Sequence, residues 1–332
     1  MGTLRKTIHI ILYSVAIATV VGSLLSIFNN TDSRYLKMLD FPRIQFFITS
    51  FTCLILFLSL TKRWQWYDHL LMVSLIGSMI VQGNYLVNYT SLVADAVPAA
   101  KEGSFSSDDQ ISILLVNVKM SNKKSQPLLD LVKNKMPDLL IAMEIDDWWE
   151  KQLETIETDY PFTQETTNNA AYGMTLYSKF PLKELKVNYL QNEKVPSFES
   201  VVQLKNGKSV RVYSVHPVPP AHFEDLPDNE GQREAEMVKV GNMIEDENLP
   251  TIVAGDINDV SWAATDELTG TKDLLYDVRV GRGFYNSYNA NNIFMRWPLD
   301  HFFVTKEFRL ITLERQPGIG SDHYPIYVKL VL

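Results

Sequence analysis

Residues 7–28 contain no Asp, Glu, Lys or Arg. About 20 predominantly apolar residues are enough to cross a bilayer as a helix. Inside hydrocarbon only a helix or a closed barrel satisfies every backbone donor and acceptor. A cleaved signal peptide is the competing reading, but the apolar core is too long and no small-x-small cleavage site follows cleanly. Residues 44–60 form a second, shorter run that extends back to Phe41. Residues 69–94 form a third charge-free run, diluted by Gln82, Asn84 and Asn88. The third run would also suit a buried soluble helix, but two spans ahead of it favour a third. Three transmembrane helices are expected within residues 1–94.

The flanks suggest an orientation. Arg5 and Lys6 precede the first span, and Lys62 and Arg63 lie between the second and third, so these four share a side. Arg34, Lys37 and Arg43 fall in the opposite loop. The positive-inside bias, four against three, then favours the N-terminus inside and the large domain outside the cytoplasmic face. Trp64, Trp66 and Tyr67 suit an interfacial aromatic belt. Residues 95–110 are small and polar and read as a linker, leaving residues 111–332 as one large domain. The lone cysteine, Cys53, lies in an apolar run and reads as a packing residue, so no intrachain disulfide can form.

Charge is divided unevenly. The chain has 31 Lys+Arg against 39 Asp+Glu; residues 1–100 carry a net +3 and the rest a net −11. So acidic a domain suits a long polyphosphate poorly, because tight nucleic-acid binding rests on many Lys and Arg contacts to phosphate.

Within the domain, residues 111–118, 138–144, 171–177 and 182–190 read as strands. A hairpin turns at Asn206-Gly207 between residues 199–204 and 209–215, a strong turn signal. Helical spacing marks 126–136, 147–160 and 230–247. Residues 251–256 form an apolar strand, followed by a helix after Asp259, short strands near Tyr285, Phe302 and Leu310, and a last strand at 325–332. Few helices between many strands argue for mixed sheets packed on each other with helices outside.

Polar residues recur where these strands end: Asn117, Glu144, His216, Asp256 with Asn258, Asp300 with His301, and Asp322 with His323. Strand ends are where a rigid scaffold presents chemistry. In Gly255-Asp256-Ile257-Asn258 the glycine reads as the bend that ends the strand, and two residues apart in extended geometry point to one side. A simple Asx-turn would explain that tetrapeptide equally well; the series along the chain is what points to a site.

The series Asn117, Glu144, Ser214-Val215-His216-Pro217, Gly255-Asp256-Ile257-Asn258, Leu299-Asp300-His301 and Ser321-Asp322-His323 resembles the endonuclease/exonuclease/phosphatase superfamily, with its deoxyribonucleases, sphingomyelinases and inositol polyphosphate phosphatases. The likeness is strongest to a bacterial branch with N-terminal membrane helices and covers about residues 111–332. It implies a four-layer α/β/β/α sandwich of two mixed sheets and a Mg²⁺-dependent hydrolase, with Mn²⁺ an alternative. Carried over motif by motif, Glu144 would be the principal metal ligand, supported by Asn117 and Asp322. Asp256 would orient or deprotonate the attacking water, Asn258 would donate to a non-bridging phosphate oxygen, and His216 would assist the leaving group. His323 would contact the phosphate and Asp300 would fix its tautomer. His301 reads as a packing histidine, and His222 has no motif around it. Arg296, just before Leu299-Asp300, could pair with a phosphate or make a loop salt bridge.

The function expected is hydrolysis of phosphate esters or anhydrides at a bacterial inner or plasma membrane, with the domain extracytoplasmic. The bilayer and a small or lipid-linked phosphate are the expected partners. A metal-dependent nuclease is the alternative, disfavoured by the domain's charge. A catalytically inactive scaffold is disfavoured because no motif position is lost.

Overall fold

The computed structural model describes residues 3–332 apart from 30, 32, 102, 104, 221–229, 246, 264–270 and 272. The chain divides after Leu92 into two compact units.

The first unit holds three long helices, α1 (Thr3–Leu25), α3 (Arg43–Leu60) and α4 (Trp66–Leu86), with a one-turn α2 (Arg34–Lys37) after the first. Three stretches, Leu4–Leu25, Arg43–Leu60 and Trp66–Tyr89, are long and apolar enough to cross a membrane, with mean hydropathies of 2.1, 1.7 and 1.7. Their shared seam contains Leu12, Ala16, Cys53, Phe57 and Leu75, and Ile10, Ile17, Leu58, Val73 and Ile80 face outward. A bundle apolar on its outer surface must pair its polar groups internally. Arg43 does so, and the structure makes it the first residue of α3, fully buried, instead of a loop cation. Its Nε donates to Asp40 Oδ1 at 3.0 Å, its Nη1 to Gln82 Oε1 at 3.0 Å and its Nη2 to the Ser26 carbonyl at 2.8 Å. The guanidinium also lies 3.5 Å from the Tyr85 ring centre. Ser50 and Ser78 join α3 to α4 through a 2.9 Å hydroxyl contact.

The second unit contains twelve described strands. They are β1 (Gln110–Asn117), β2 (Leu139–Met143), β3 (Phe162–Thr166), β4 (Met174–Ser178), β5 (Leu182–Asn188), β6 (Ser197–Gln203), β7 (Ser209–Val215), β8 (Thr251–Asp256), β9 (Tyr276–Asp277), β10 (Asp300–Val304), β11 (Arg309–Arg315) and β12 (Ile326–Val331). They form two six-stranded mixed sheets, ordered β11-β12-β1-β2-β4-β3 and β5-β6-β7-β8-β10-β9. Period-two alternation sorts β1 between two cores. Ile111, Ile113 and Leu115 enter the core between the sheets, and Leu114 and Val116 face outward under α5 (Gln126–Lys135) and α6 (Asp147–Leu153). The second sheet is capped by α7 (Gln232–Glu245) through Met237, Val240 and Ile244. Strands buried on both faces read as unbroken apolar runs, which is why β1, β2 and β8 stand out in the sequence. The result is the α/β/β/α sandwich that was expected.

The structure departs from the sequence reading in several places. β3 was not expected: Phe162-Thr-Gln-Glu-Thr166 is a mostly polar edge strand that pairs only with β4. No strand forms at Tyr285, whose φ is +47°; the edge is instead the two-residue β9. The helix expected over 147–160 stops at Leu153 and tightens into a 3₁₀ turn, Glu154–Ile156. Most of the helix expected after Asp259, and His222, lie outside the described residues. The start of the segment read as a linker belongs to this unit: Val97 enters the inter-sheet core, Ala99 bridges to Leu310, and Asp95 pairs with Arg282 at 2.8 Å.

Gly255 does not bend the chain. It lies within β8, paired with Val215 of β7 on one side and His301 of β10 on the other. A Cβ on Gly255 would lie 1.8 Å from the Val215 carbonyl oxygen, so glycine is required for close strand approach. Gly255→Ala should therefore destabilise the unit by about 3 kcal/mol or more, among the large effects reserved for such clashes. Gly318→Ala, whose Cβ would meet only Tyr324 at 3.4 Å, should be nearly neutral. Thermal unfolding of the two variants side by side checks the contrast.

Candidate active site

β1 lies parallel to β2, and β7 lies parallel to β8, so each sheet delivers two strand ends in one direction. Asn117 closes β1 and Asp256 closes β8, and the two meet across the sandwich. Asn117 Nδ2 donates to Asp256 Oδ2 at 3.1 Å and to Glu144 Oε1 at 2.8 Å. Its Oδ1 accepts from Lys119 N at 2.9 Å. Asn117 thus enters the site through its nitrogen. It organises two carboxylates, and its oxygen, the atom a metal would need, is turned to the following backbone.

Glu144 follows β2 with φ +62°, a conformation uncommon for a residue with a side chain. Its carboxylate is held at both oxygens, Oε2 by Met120 N at 3.1 Å. Beside it, Asp322 Oδ2 pairs with Lys119 Nζ at 2.8 Å. That hydrogen bond raises the Lys119 pKa, with the nearby Glu144 charge adding to it.

β8 and β10 pair antiparallel with Asp256 opposite Asp300. Both carboxylates are buried. His323 lies between them. Its Nδ1 is 2.8 Å from Asp300 Oδ2 and its Nε2 is 3.5 Å from Asp256 Oδ2. The backbone aims it: Ser321 Oγ donates to the Asn117 carbonyl at 2.8 Å and accepts from His323 N at 3.0 Å. Burial disfavours its positive charge, but the Asp300 and Asp256 carboxylates outweigh burial and push its pKa up to about 10. Burial raises Asp256, while the charge of His323 acts the other way.

His216 Nε2 lies 3.9 Å from Asp256 Oδ2, and its ring packs on Tyr172 at 5.3 Å. Burial lowers its pKa, with Asp256 only partly opposing, so it is neutral at pH 7. Asn258, at φ +55°, forms the Asx turn: its N–H donates to Asp256 Oδ1 at 3.0 Å. Its amide nitrogen donates to the Pro217 carbonyl at 3.0 Å, tying the His216 loop to the end of β8. One of its two N–H hydrogens is therefore committed, which leaves the other for the phosphate oxygen. His301 is the packing histidine that was expected: Nε2 donates to Asp259 O at 2.8 Å and Nδ1 accepts from Arg279 at 2.6 Å. Arg296 uses Nε and Nη2 on the carbonyls of Asn289 and Ala290 and lies 5.0 Å over the Tyr324 ring. It braces a loop and, among the described residues, makes no salt bridge.

Several contributors carry no sequence signal. Lys119 reaches Asp322 across about 200 residues of chain. Tyr288 packs on His323 at 4.9 Å. Arg233 reaches Asp259 at 3.2 Å and the Asn258 carbonyl at 3.2 Å, clamping the turn after β8. Tyr172, pushed up to about 12 by burial and by the Glu144 and Asp256 charges, walls His216 as a neutral phenol.

Two groupings could hold a cation. Asp256, Asp300 and His323 offer ligand atoms within 4.8 Å of one another. There, however, a metal on His323 Nε2 would take the nitrogen that faces Asp256 Oδ2 at 3.5 Å and would require the imidazolium, held protonated by the two carboxylates, to give up its proton. Glu144 and Asp322, which both act on the Lys119 charge, are the other candidate. These are hard carboxylate oxygens, suited to a small divalent ion that keeps several waters, and the Lys119 ammonium already marks the spot as one that attracts positive charge.

The Asp300–His323 unit makes a specific prediction. Asp300→Asn removes one of the two carboxylates that hold the His323 proton, so the basic limb of the pH–activity profile should move down from about 10. The same sign applies to stability. The histidine's contribution is complete below its unfolded value near 6.5 and is lost as pH rises through about 10. Asp300→Asn/His323→Ala should be no slower than His323→Ala alone, because groups that act as a unit are non-additive. Losses in kcat/KM that simply multiply would show the pair to be uncoupled.

Comparison with known proteins agrees with this geometry. The sequence profile of the Endonuclease/Exonuclease/phosphatase family matches residues 114–323. No curated protein matches the chain. Among solved structures, a humanized D. rerio TDP2 is similar at a TM-score of 0.57 and 15% identity, covering 68% of this chain and 100% of that one. D. rerio TDP2 complexed with single-strand DNA product matches at 0.55 and 17%, covering 68% and 100%. An endonuclease/exonuclease/phosphatase from Beutenbergia cavernae matches at 0.52 and 15%, covering 68% and 72%. At these identities the likeness is one of fold, whereas the profile match spans both sheets and every strand-end motif from β1 to His323, and the chain belongs to the endonuclease/exonuclease/phosphatase family.

Proposed function

We propose that this chain is a membrane-anchored, divalent-metal-dependent hydrolase of phosphate esters or anhydrides, acting on a small or lipid-linked phosphate. The observation that carries the reading is His323 held between Asp300 and Asp256, at the same strand ends as the Glu144–Asp322 oxygens. Phosphoryl transfer to water needs an aimed nucleophile, donors on the non-bridging oxygens and help for the leaving oxygen. Asp256, whose pKa is raised by burial, is suited to take a proton from the attacking water. His323, charged at pH 7, donates from Nε2 to a phosphate oxygen while Asp300 holds Nδ1. His216, kept neutral, assists the leaving oxygen with an N–H hydrogen bond and carries no standing charge. A Mg²⁺ or Mn²⁺ ion on Glu144, with Asp322 alongside, would supply Lewis-acid stabilisation of the charge that builds on the phosphate.

The charge pattern supports a small or lipid-borne phosphate over a nucleic acid. The unit is strongly acidic, and the arginines nearest the site are paired: Arg279 with Asp277, Arg282 with Asp95, and Arg296 with loop carbonyls. The three membrane-length helices supply the anchor. With Arg43 inside the bundle, the loop opposite Arg5, Lys6, Lys62 and Arg63 retains fewer open cations. This supports the N-terminus inside and the catalytic unit outside.

Phosphate release by the purified full chain should require added Mg²⁺ or Mn²⁺. Glu144→Ala should abolish it, by about 10³-fold or more on the scale of losing a principal charge-stabilising group, while leaving the thermal unfolding transition in place. Lipid pyrophosphates, phosphodiesters, and single- and double-stranded DNA should be compared in one panel. Full turnover in excess chelator would end the metal assignment, and turnover confined to DNA would make the enzyme a nuclease.

For topology, an alkaline phosphatase fusion after Leu332 should be active and a green fluorescent fusion dark. The opposite pattern would place the catalytic unit inside.

A further inference from the structure

We propose that the loop of residues 289–297 docks onto an anionic bilayer, its apolar tip entering the headgroup region beside the active site. The inference rests on the membrane reading above and extends it to the way substrate reaches His323. The tip is Ile293, Phe294 and Met295, which are 73%, 83% and 53% exposed. Scattered surface leucines are ordinary; three consecutive large apolar residues at the end of one loop are not, and exposed apolar clusters mark interaction sites.

The loop is built to present this tip. At its base, Ser287 N and Tyr288 N both donate to the Trp297 carbonyl, at 3.0 and 2.9 Å, and Ala290 N donates to the Asp322 carbonyl at 2.7 Å. At the tip, Asn292 Oδ1 accepts from Phe294 N at 3.0 Å and Met295 N at 3.2 Å. These bonds set the backbone so that the apolar side chains point outward. The base belongs to the site: Tyr288 bridges to His323, and their rings are 4.9 Å apart.

The charge around the loop selects the occupant. Of the three arginines in residues 278–299, Arg279 and Arg282 are ion-paired with Asp277 and Asp95, so the cations that face the loop are Arg296 and Arg315. Arg296 and Arg315 both lie against the Tyr324 ring, at 5.0 and 4.7 Å, at the foot of the loop. An apolar tip with cations behind it is the pattern of interfacial membrane binding, where apolar side chains sink about 5–10 Å and cations meet anionic headgroups. The chain supplies the bilayer itself, since its last membrane-length stretch ends at Tyr89 and the catalytic unit begins at Val93. The substrate class that follows is a phosphate carried on a lipid at the membrane surface.

The test uses the full chain in liposomes containing phosphatidylglycerol. Cys53 is the only cysteine, so in a Cys53→Ser background Phe294→Cys takes a single environment-sensitive fluorophore. Its emission should shift to the blue and be quenched severalfold by lipids brominated near the headgroup. A label at Lys205→Cys, in the turn between β6 and β7 at the opposite end of β7 from His216, should not respond. Equal quenching at the two positions, or a blue shift with no quenching by the brominated lipid as a second copy covering the tip would give, overturns the proposal. As a second reading, Ile293→Ser with Phe294→Ser should lower kcat/KM about tenfold on a bilayer-embedded lipid pyrophosphate and leave a water-soluble nitrophenyl ester unchanged. Equal loss on both substrates overturns it. Quenching is read without turnover, so a quenched label on an inactive enzyme would overturn the hydrolase reading alone. An unquenched label on an active enzyme would overturn docking alone.

Discussion

A single amide nitrogen ties the two sheets together at the site. Asn117 Nδ2, from the end of β1, reaches Glu144 on its own sheet and Asp256 on the other, at 2.8 and 3.1 Å. Without that donor two carboxylates would face each other across the sandwich with nothing between them, and a buried carboxylate without a partner is costly. The same nitrogen divides the site into two zones. On its Glu144 side lie Lys119 and Asp322, a place for a cation. On its Asp256 side lie His323, Asp300 and His216, a place for protons. Sandwich registry is thereby coupled to chemistry, because a shift between the sheets would separate the zones.

The second constraint is inside one sheet. The β8–β10 register puts Asp256 directly opposite Asp300, and like charges directly opposite each other on paired strands are destabilising. His323 resolves this by lying between them as a cation, which is why its proton is held so firmly. His216 shares the same wall but lacks an orienting carboxylate, and burial leaves it neutral. Two histidines of one site thus carry different charges at pH 7, and the difference comes from their partners.

Much of this was legible in the sequence because buried strands announce themselves. The apolar runs of β1, β2 and β8 fixed where strands end, and the residues at those ends proved to be neighbours. What stayed hidden has physical causes. β3 is a half-buried polar edge with no alternation to read. Gly255 looked like a bend because a sequence does not show that the Val215 carbonyl crowds its α-carbon. Asn117, Asn258 and Arg296 were assigned by residue type, but hydrogen-bond direction is a tertiary property. In the structure the first turns its nitrogen to the two carboxylates, the second is partly committed to Pro217, and the third braces its own loop. Lys119, Tyr172, Tyr288 and Arg233 reach the site through contacts distant in the chain, so nothing near them marks them.

The site's own charges explain why an acidic enzyme can still work on an anion. Glu144, Asp322 and Asp300 are carboxylates, Asp256 is a fourth whose ionisation burial opposes, and Lys119 and His323 are the cations set among them. With Asp256 ionised the group is two charges negative, and even with it protonated the balance remains one negative. A phosphate brought into that field meets net repulsion, which a low-dielectric site amplifies. On the proposed reading, a divalent cation held on the Glu144 side would bring that balance to neutral with Asp256 ionised and to one positive with it protonated, leaving the His323–Asp300 hydrogen bond intact. The acidic surface around the site is no obstacle on this account. Under the proposed function, phosphate would be held only where a bound cation and His323 act together, and a polyanion that needed many such places would find none.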